Sequence, residues 1–498
     1  MNFEILSKNR KRIKREDRMR VPVLLNVSDA IMPCQKTLKQ LAEIACHDSV
    51  YSHIAALADI HYKSRNECPT GVAIATEDKI VPQFLDSGLN CGMRMMKTSL
   101  FEDSLNERFI DSLFYELQKN IPIKAKNNNR LNLKEFLNIC KWGSPYIIKK
   151  YNLDPEEEQF IEHGGNIFKG EDINDQKLQE CIPNIFMNLS QNRFGILGEG
   201  NHFIELQKID EIIDEALAKL FGIQKGQVVI LMHTGSSALG SLISHFYGSR
   251  KMNAVWSFSM FFARLFFLNG RRKEGGLGYE IKRLIKLLND KQEIYAMDDS
   301  SDEGKLFLRA MNAAHNFGYA SRTFIMNKIR QSFSDSLSSK DFKLSLLYDM
   351  SHVSIYREDH YGKKMWVHRH GASRAFPPAL MNGHPVFSKT GEPVFIPGSM
   401  GDPTYLGVGH PENSDCYFSS SHGAGVTSGS SKLIVNNMKE LIEKMNKRKI
   451  KLFKDGNKFI KKIDPDQFKD INDVVDGMVE NKIIRPVAKM IPCAVMKG

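Results

Sequence analysis

The sequence lacks paired cysteines, long apolar runs and low-complexity linkers. Its eight cysteines lie at positions 34, 46, 68, 91, 140, 181, 416 and 493 without a CxxC pair or regular spacing, which argues against a disulfide framework and a zinc ribbon. The apolar run FSMFFARLFFL (258–268) is too short to span a bilayer and carries Arg264, so it predicts a buried or interfacial helix. No apolar core of signal-peptide length follows the basic N-terminus. These absences predict a globular protein of a reducing compartment, the cytoplasm, with no membrane partner.

Positive charge is concentrated in two segments. Residues 1–20 hold eight Lys and Arg against three acids, and residues 439–462 hold ten against three, within a net charge of +11. Basic patches on a nearly neutral body suggest a polyanionic partner such as RNA, because neutralised phosphates release counterions. Two solvated charged helices would give the same pattern. If the partner is RNA, charge reversal within 447–462 should weaken RNA binding and flatten its salt dependence.

The 498 residues show no internal repeat and no linker that marks a domain boundary. Residues 156–182 are polar and acidic, which predicts a surface excursion. Residues 300–335 have apolar side chains at helical period, with Ser300 and Glu303 spaced as a capping box. The chain therefore predicts alternating strands and helices in one domain.

Several strand-like runs end in loops that carry histidine or glycine, where sites often lie. VVILMHTGSSALG (228–240) leads into His233, KLSLLYDMSHVSIY (343–356) carries His352, and CYFSSSHGAGVTSG (416–429) carries His422. GILGEGNHFIEL (195–206) carries His202, and PVFIPGSMGDPTY (393–405) contains a glycine loop. Any one of these histidines could be a hydrogen-bonded structural residue. Several in matching contexts favour a shared site.

Cys91 lies in LDSGLNCGMRMM (85–96), between small polar residues that predict a turn. One cysteine and three histidines can hold a borderline metal such as Zn, Mn, Fe or Co. Glycine loops such as PGSM and HGAG expose backbone N–H groups that can bind phosphate oxygens. Together these features indicate phosphoryl or nucleotidyl transfer.

The same motifs resemble those of the RtcB-type RNA ligases, also called tRNA-splicing or 3'-phosphate/5'-hydroxyl ligases. The resemblance runs in order through ALADIHYKSRNECPTGVAIAT (56–76), NCGM, GEGNHFIEL, HTGSSALG, AMNAAHNFGYASR, DMSHVS, VHRHGASRAFPP, IPGSMG, SHGAGV and VMKG. It implies an α+β fold, a single compact domain with packed β-sheets around a central metal and nucleotide cleft. The expected organisation is a basic N-terminal segment (1–22) and a catalytic domain (23–498) that includes the basic segment 439–462.

The resemblance implies a GTP- and Mn²⁺-dependent reaction. A histidine would attack the α-phosphorus of GTP, the guanylate would pass to an RNA 3'-phosphate, and a 5'-hydroxyl would displace GMP. Ends with a 2',3'-cyclic phosphate would first be opened. The substrates implied are RNA ends of these types, with one or two Mn²⁺ ions; an activating protein partner stays unspecified.

Matching positions assign the implied roles. The guanylated residue is His422, and the metal ligands are Cys91, His202, His233 and His352. The expected nucleotide contacts are Asn201, His202, Phe203, Ile204, Glu205, His352, Val353, Pro397, Gly398, Ser399, Met400, Thr404, His422, Gly423, Ala424, Gly425 and Lys497.

Five positions depart from the family pattern. Gly88 stands where the family has a metal-binding aspartate, His370 replaces a lysine, and arginines are replaced at the three positions Ser237, Val426 and Ser430. Asp86 lies two residues before Gly88, which in an extended strand is about 7 Å away and too far for direct ligation. The departures therefore predict one tight metal and a weak second site.

These losses keep alternatives open beside an RNA ligase. A degenerate paralogue could bind RNA or nucleotide without ligating, because an arginine that faces phosphate stabilises a charged transition state. A metal-dependent phosphoester hydrolase without nucleotide transfer is the third possibility.

Overall fold

The architecture comes from a computed structural model. It describes residues 2–64, 66–125, 130–248, 254–268, 277–288, 294–337, 342–427, 438–454 and 465–497. Ser430 and the basic residues from 455 to 462 lie outside these ranges.

Strands and helices alternate along the described residues. The strands are β1 (Phe3–Ser7), β2 (Arg10–Ile13), β3 (Val23–Leu25), β4 (Ile54–His61), β5 (Thr70–Thr76), β6 (Lys79–Ile80), β7 (Gly92–Phe101), β8 (Phe203–Ile212), β9 (Gln227–Thr234), β10 (Met297–Asp298), β11 (Leu344–Ser351), β12 (Val353–His360), β13 (Lys363–His370), β14 (Ala372–Arg374), β15 (Pro393–Pro397), β16 (Thr404–Gly409), β17 (Ser419–Ser421), β18 (Lys451–Lys454) and β19 (Ile484–Lys497). The helices are α1 (Gln35–Ala45), α2 (Glu107–Asn120), α3 (Leu133–Trp142), α4 (Ser144–Lys150), α5 (Asp175–Cys181), α6 (Asn184–Gln191), α7 (Glu215–Phe221), α8 (Ser237–Gly248), α9 (Ala254–Leu268), α10 (Leu277–Leu288), α11 (Asp302–Ser336), α12 (Phe387–Thr390), α13 (Met438–Lys447) and α14 (Ile471–Glu480). Among the described residues, no helix combines the length and apolar character that crossing a membrane requires.

Two large sheets form the core of the domain. The first sheet has the order β1-β2-β3-β4-β5-β13-β12, and the second has the order β11-β7-β9-β8-β19-β16-β15, with β18 beside β19. Strands β4, β5 and β9 are buried almost throughout, as their continuous apolar runs predict for strands covered on both faces. Packed sheets flanked by helices confirm the predicted α+β fold.

The chain passes from one sheet to the other at His352. Strand β11 belongs to the second sheet and β12 to the first, and His352 is the single residue between them. A histidine at this crossing is held by both sheets, which makes it a rigid position for a functional side chain.

Helix α11 is the long helix predicted over 300–335, and most of its residues are buried. The predicted cap is wrong by one residue. Ser301 is the N-cap, and its hydroxyl accepts from the Gly304 N–H at 3.0 Å. Glu303 does not complete a capping box with Ser300, because its carboxylate accepts from Arg283 at 3.1 Å.

The predicted surface excursion over 156–182 is confirmed only in part, because residues 169–172 and 174–176 are exposed whereas others are buried. Ile161, Leu178 and Cys181 are buried, and the Glu162 carboxylate accepts from the Tyr319 hydroxyl at 2.9 Å. The polar residues that suggested a loop instead form short helical turns that pack on α11 and β11. A buried acid with hydrogen-bond partners looks polar in sequence and lies inside.

The two basic segments differ in their surroundings. Strands β1 and β2 join the first sheet through β3, so the N-terminal segment is continuous with that sheet. In the described part of 439–462, acids lie beside several bases: Arg448 is 2.7 Å from Asp402, and Lys451 is 2.7 Å from Glu107. Whether either segment binds RNA stays a prediction, as does the boundary at residue 22.

Candidate functional site

Strand ends of both sheets converge on one pocket. In the second sheet, neighbouring strands are antiparallel, so the start of β7, the end of β9, the start of β8 and the end of β19 lie at the same edge. The end of β13 and the loop after β17 approach from the side of the first sheet. The cavity measures about 310 Å³, within the range of small-ligand sites.

The four predicted metal ligands lie together in this pocket. The Cys91 Sγ is 3.2 Å from the His233 Nε2 and 3.4 Å from the His202 Nε2. The His233 Nε2 is also 2.9 Å from the His352 Nε2. Residues from four separate segments thus point one sulfur and three ring nitrogens at each other, with His233 between His202 and His352.

The protonation of these side chains fits a metal. The His233 Nδ1 lies 3.0 Å from the Asn201 carbonyl, so it carries the proton and leaves the Nε2 lone pair facing the cluster. Burial lowers the pKa of His202 to about 4 and holds the pKa values of His233 and His352 well below the ordinary value. Burial raises the pKa of Cys91 to about 12, so a bound cation is what would convert this thiol to a thiolate ligand. Neutral imidazoles beside a thiol form a suitable donor set for a divalent metal.

Arg322 fixes the segments that carry the donors. Its place in AMNAAHNFGYASR is the only sequence signal for this role. Its guanidinium donates to the Asn90 carbonyl at 2.9 Å and to the Thr234 carbonyl at 3.0 Å, next to Cys91 and His233. It also bonds Asp349, which pairs with Arg94, and all three charged groups are fully buried. The backbone N–H of His352 donates to the Cys91 carbonyl at 2.9 Å. Arg322 therefore positions the donor cluster without contacting it as a ligand.

Asp59 orients His422 and is the second residue that the sequence reasoning missed. The His422 Nδ1 is 2.7 Å from the Asp59 Oδ2, and the His422 backbone N–H donates to the same oxygen at 3.2 Å. Burial opposes ionisation of Asp59, but the hydrogen bond and charge of His422, together with the charges of His61 and Lys469, outweigh it and lower the pKa of this carboxyl. An Nδ1–H held by a carboxylate leaves the Nε2 lone pair for chemistry. The aspartate in ALADIHYK was the available signal.

Lys469 ties the His422 loop to β4. Its ammonium donates to the Ala58 and Ile60 carbonyls at 2.9 and 2.7 Å, on both sides of Asp59. Its own backbone N–H donates to the Gly425 carbonyl. At Gly425 φ is +71°, and a Cβ there would lie 2.2 Å from the Asp59 carbonyl, so only glycine lets the loop approach this closely.

Most of the predicted nucleotide contacts line the same pocket. These are Asn201, His202, Phe203, Glu205, His352, Val353, Pro397, Gly398, Ser399, Met400, His422, Gly423, Ala424, Gly425 and Lys497. Ile204 and Thr404 do not line it. Ile204 alternates with Phe203 and Glu205 along β8 and therefore faces the core on the other side. Thr404 accepts from the Gln207 amide at 2.8 Å and reaches Glu205 only through it.

Glu205 and Lys497 give the pocket one acid and one base at its inner end. Burial raises the pKa of Glu205 to about 7 and lowers the pKa of Lys497 to about 8. Both groups therefore change charge near neutral pH, which is common at functional sites.

Three of the five departures line the pocket: Gly88, His370 and Val426. Ser237 begins α8 and is not among the lining residues, and Ser430 lies outside the described residues.

Asp86 lines the pocket but is engaged elsewhere. Its Oδ2 is 2.7 Å from the Lys63 Nζ and 3.7 Å from the His370 Nε2. Burial would raise the pKa of Asp86, yet Lys63 and His370 hold it well below the ordinary value. Within the described residues, the group of Cys91, His202 and His233, whose ligand atoms lie within 4.8 Å of one another, includes neither Asp86 nor His352. That Asp86 does not replace the missing aspartate stays a prediction.

Comparison with known proteins agrees with this arrangement. A family model described as tRNA-splicing ligase RtcB matches residues 40–498. The tRNA-splicing ligase RtcB of Nanoarchaeum equitans is 31% identical, over 98% of this chain and 97% of its own length. The protein of the same name from Methanococcus maripaludis is 30% identical over 97% and 96%. An RNA-splicing ligase RtcB homolog of Entamoeba histolytica is 29% identical over 93% and 81%. With nearly full-length matches and a pocket built from the shared motifs, this chain belongs to the RtcB family.

Proposed function

We propose that the protein is an RNA ligase that uses GTP and Mn²⁺ to join RNA 3'-phosphate or 2',3'-cyclic phosphate ends to 5'-hydroxyl ends, as in RNA repair or tRNA splicing. One observation carries this proposal: His422, held by Asp59 at 2.7 Å, lies in the same pocket as the cluster of Cys91 and three histidines. The eight cysteines are all free thiols, which fits the cytoplasm as its compartment.

In the first step, the His422 Nε2 attacks the α-phosphorus of GTP. A P–N bond forms, the bond to the β-phosphate oxygen breaks, and pyrophosphate leaves. The Nδ1–H stays hydrogen-bonded to Asp59, whose negative charge stabilises the cation that develops on the ring. Ser399 and Gly423 line the pocket, and their backbone N–H groups would donate to phosphate oxygens.

The metal requirement would be met by Cys91, His202, His233 and His352. Manganese bound there would neutralise phosphate charge during the transfer. The protein's own contribution is the fixed geometry of these donors, which Arg322 and the sheet ends maintain.

The later steps return His422 to its free form. An RNA 3'-phosphate oxygen attacks the guanylate phosphorus, and the P–N bond breaks. The RNA 5'-hydroxyl then attacks the activated 3'-phosphate, so that a phosphodiester forms, GMP leaves and the hydroxyl proton passes to solvent. A cyclic phosphate first requires hydrolysis by water to a 3'-phosphate.

Labelled GTP tests the proposal. Incubation with α-labelled GTP and Mn²⁺ should leave acid-labile label on the chain, whereas γ-labelled GTP should leave none because that phosphate departs in pyrophosphate. Addition of RNA with a 3'-phosphate and a 5'-hydroxyl should discharge the label and yield a longer strand. Absence of label in the presence of bound Mn²⁺ and GTP would contradict the proposal.

A specific observation favours binding without ligation as the second candidate. Gly88, His370 and Val426 replace charged residues of the family pattern and line the pocket. The same experiment separates the candidates, because a binding-only protein would retain GTP or RNA without covalent label. A phosphoester hydrolase would instead release phosphate from RNA ends without GTP.

A further inference from the structure

Helices α9 and α10 form a helical pair whose outer face is apolar. On α9, Phe266 is 77% exposed and Val255 is 76% exposed. The outer face, called the hairpin face below, consists of Val255, Trp256, Phe258, Phe262 and Phe266 on α9 and Leu277, Ile281, Ile285 and Leu288 on α10. Val255, Phe258, Phe262 and Phe266 on α9, and all four residues on α10, are spaced by three to four positions and so form one stripe on each helix, with Trp256 beside the stripe of α9. A stripe of this size marks a contact surface.

Three charged residues of the same helices, Arg264, Glu280 and Arg283, point inward. The Arg264 Nε is 2.9 Å from the Glu280 carboxylate, and Arg283 is 3.1 Å from Glu303 on α11. Arg264 and Glu280 are at most 1% exposed. Arg283 also donates to the Tyr247 carbonyl of α8. These helices bury charged residues and expose apolar ones, whereas a helix that faces water exposes its charged residues.

The charge near the hairpin face in the sequence indicates what covers it. Apart from the inward Arg264, Arg283 and Glu280, residues 249–293 contain eight Lys and Arg against three acids. Five of these bases fall in 250–251 and 271–273, the segments just before and after α9 in the chain, which lie outside the described residues. Lys282 is exposed on α10 beside the apolar stripe. Aromatic and aliphatic residues next to excess positive charge are typical of helices that lie at an anionic lipid surface. A two-fold contact between copies would instead bring like charges together.

We propose that the hairpin face binds the surface of an anionic phospholipid membrane. The helices lie in the plane of the interface, with the phenylalanines at the acyl boundary and Lys282 at the headgroups. At 15 residues, α9 is about 22 Å long and has the length of an interfacial helix. The inference departs from the sequence expectation of no membrane partner, and it does not depend on the proposed ligase function.

Vesicle binding by the full chain tests the proposal. The protein should sediment with vesicles of phosphatidylcholine and phosphatidylserine, and less with phosphatidylcholine alone or at high salt. The double variant Phe262→Ser with Phe266→Ser should bind about a hundredfold more weakly, because two large apolar side chains are lost. The matched control is Ile185→Ser with Leu189→Ser on α6, two residues that are also exposed; it should bind like the wild type. No sedimentation of the wild type, or equal loss in the control, would overturn the proposal.

Trp256 reports the contact directly. Brominated lipid should quench wild-type fluorescence and should have no effect on the bound Trp256→Phe variant. Unquenched Trp256 in vesicle-bound wild type would overturn the assignment to this face. If the wild type forms a dimer without lipid and the phenylalanine double variant is a monomer, the proposal is also overturned, since a second copy would then cover the hairpin face.

Discussion

Two groups of residues in the pocket differ in what they retain of the family pattern. The retained group keeps Cys91, His202, His233 and His352 together, with His422 on Asp59. The substituted group consists of Gly88, His370 and Val426, which stand in place of an acid, a lysine and an arginine. In the proposed reaction, transfer from GTP depends on the retained group, whereas binding of RNA phosphates benefits from the charges that the substituted group has lost. We therefore expect nucleotide transfer to be preserved more fully than strand joining.

The largest expected effect is on the retained group. His422→Ala should abolish the covalent guanylate, because it removes the ring nitrogen that Asp59 orients, while the chain keeps its fold and its metal. Label retained after α-labelled GTP is the measurement. His410→Ala, a histidine outside the pocket lining, is the control and should label normally. Persistent labelling of the His422 variant would move the nucleophile elsewhere, with His370 and His368 as the next candidates.

Asp59→Asn should slow guanylation by about 10² to 10⁴-fold, the range for loss of a group that orients and stabilises a catalytic histidine. The isosteric amide preserves packing, so metal binding should not change. Single-turnover labelling rates across pH measure the effect. An unchanged rate would mean that the 2.7 Å contact plays no part in the chemistry.

Arg322→Met should cost about 3 to 5 kcal/mol of unfolding free energy, because it leaves part of the buried Asp349 charge uncompensated. Metal affinity should fall with it, since the Asn90 and Thr234 carbonyls lose their donor. Arg357→Met is the control. Its ion pair with Asp299 is half exposed and contributes at most about 1 kcal/mol. If both variants lower the free energy of unfolding equally in denaturant titrations, Arg322 does not fix these segments as described.

Gly88→Asp should restore a tight second metal and raise its affinity about tenfold or more. The site can accept the side chain, because an added Cβ would meet only the Cys91 Cβ at 3.7 Å. Calorimetric titration with Mn²⁺ should give about one tight ion per wild-type chain, with the second appearing when GTP supplies ligands. Two tight ions in nucleotide-free wild type, or loss of one on Asp86→Ala, would show that Asp86 serves as a ligand.

The smallest effect expected is on pH dependence. Burial raises the pKa of Glu205 to about 7, so this group becomes a carboxylate acceptor only as the pH rises through that value. Lys497, with its pKa lowered to about 8 by burial, loses its positive charge above it. GTP binding should therefore be strongest between these values and weaker by about threefold on either side. Glu205→Gln should remove the fall in GTP affinity below about pH 7. If GTP affinity still falls at low pH in this variant, Glu205 is not the cause.

Much of the fold and site follows from the sequence, and the failures have physical causes. Apolar runs that end in histidine loops located His233, His352 and His422, because such runs form strands whose ends meet at the pocket. The role of Asp59 could not be predicted because a lone aspartate within a strand carries no spacing signal. The role of Arg322 could not be predicted because its partners, Asn90 and Thr234, are distant in sequence.

The same limits explain the wrong predictions. Glu162 made 156–182 look like a loop, although tyrosine hydroxyls satisfy it inside the protein. Ile204 was expected to contact nucleotide with its neighbours, but strand alternation turns it away. The exposed apolar residues of α9 were compatible with burial until the inward position of Arg264 was known.

One measurement tests the comparison between the retained and the substituted group most directly: guanylation and strand joining followed in the same single-turnover reaction, for the wild type and for Val426→Arg. The wild type should form the guanylate on His422 and discharge it slowly to RNA, and Val426→Arg should speed joining while leaving the guanylation rate unchanged. A wild type that binds Mn²⁺ and GTP yet forms no guanylate would contradict the expectation that the retained group still supports nucleotide transfer. If Val426→Arg does not speed joining, the expectation that the substituted group weakens RNA binding is contradicted.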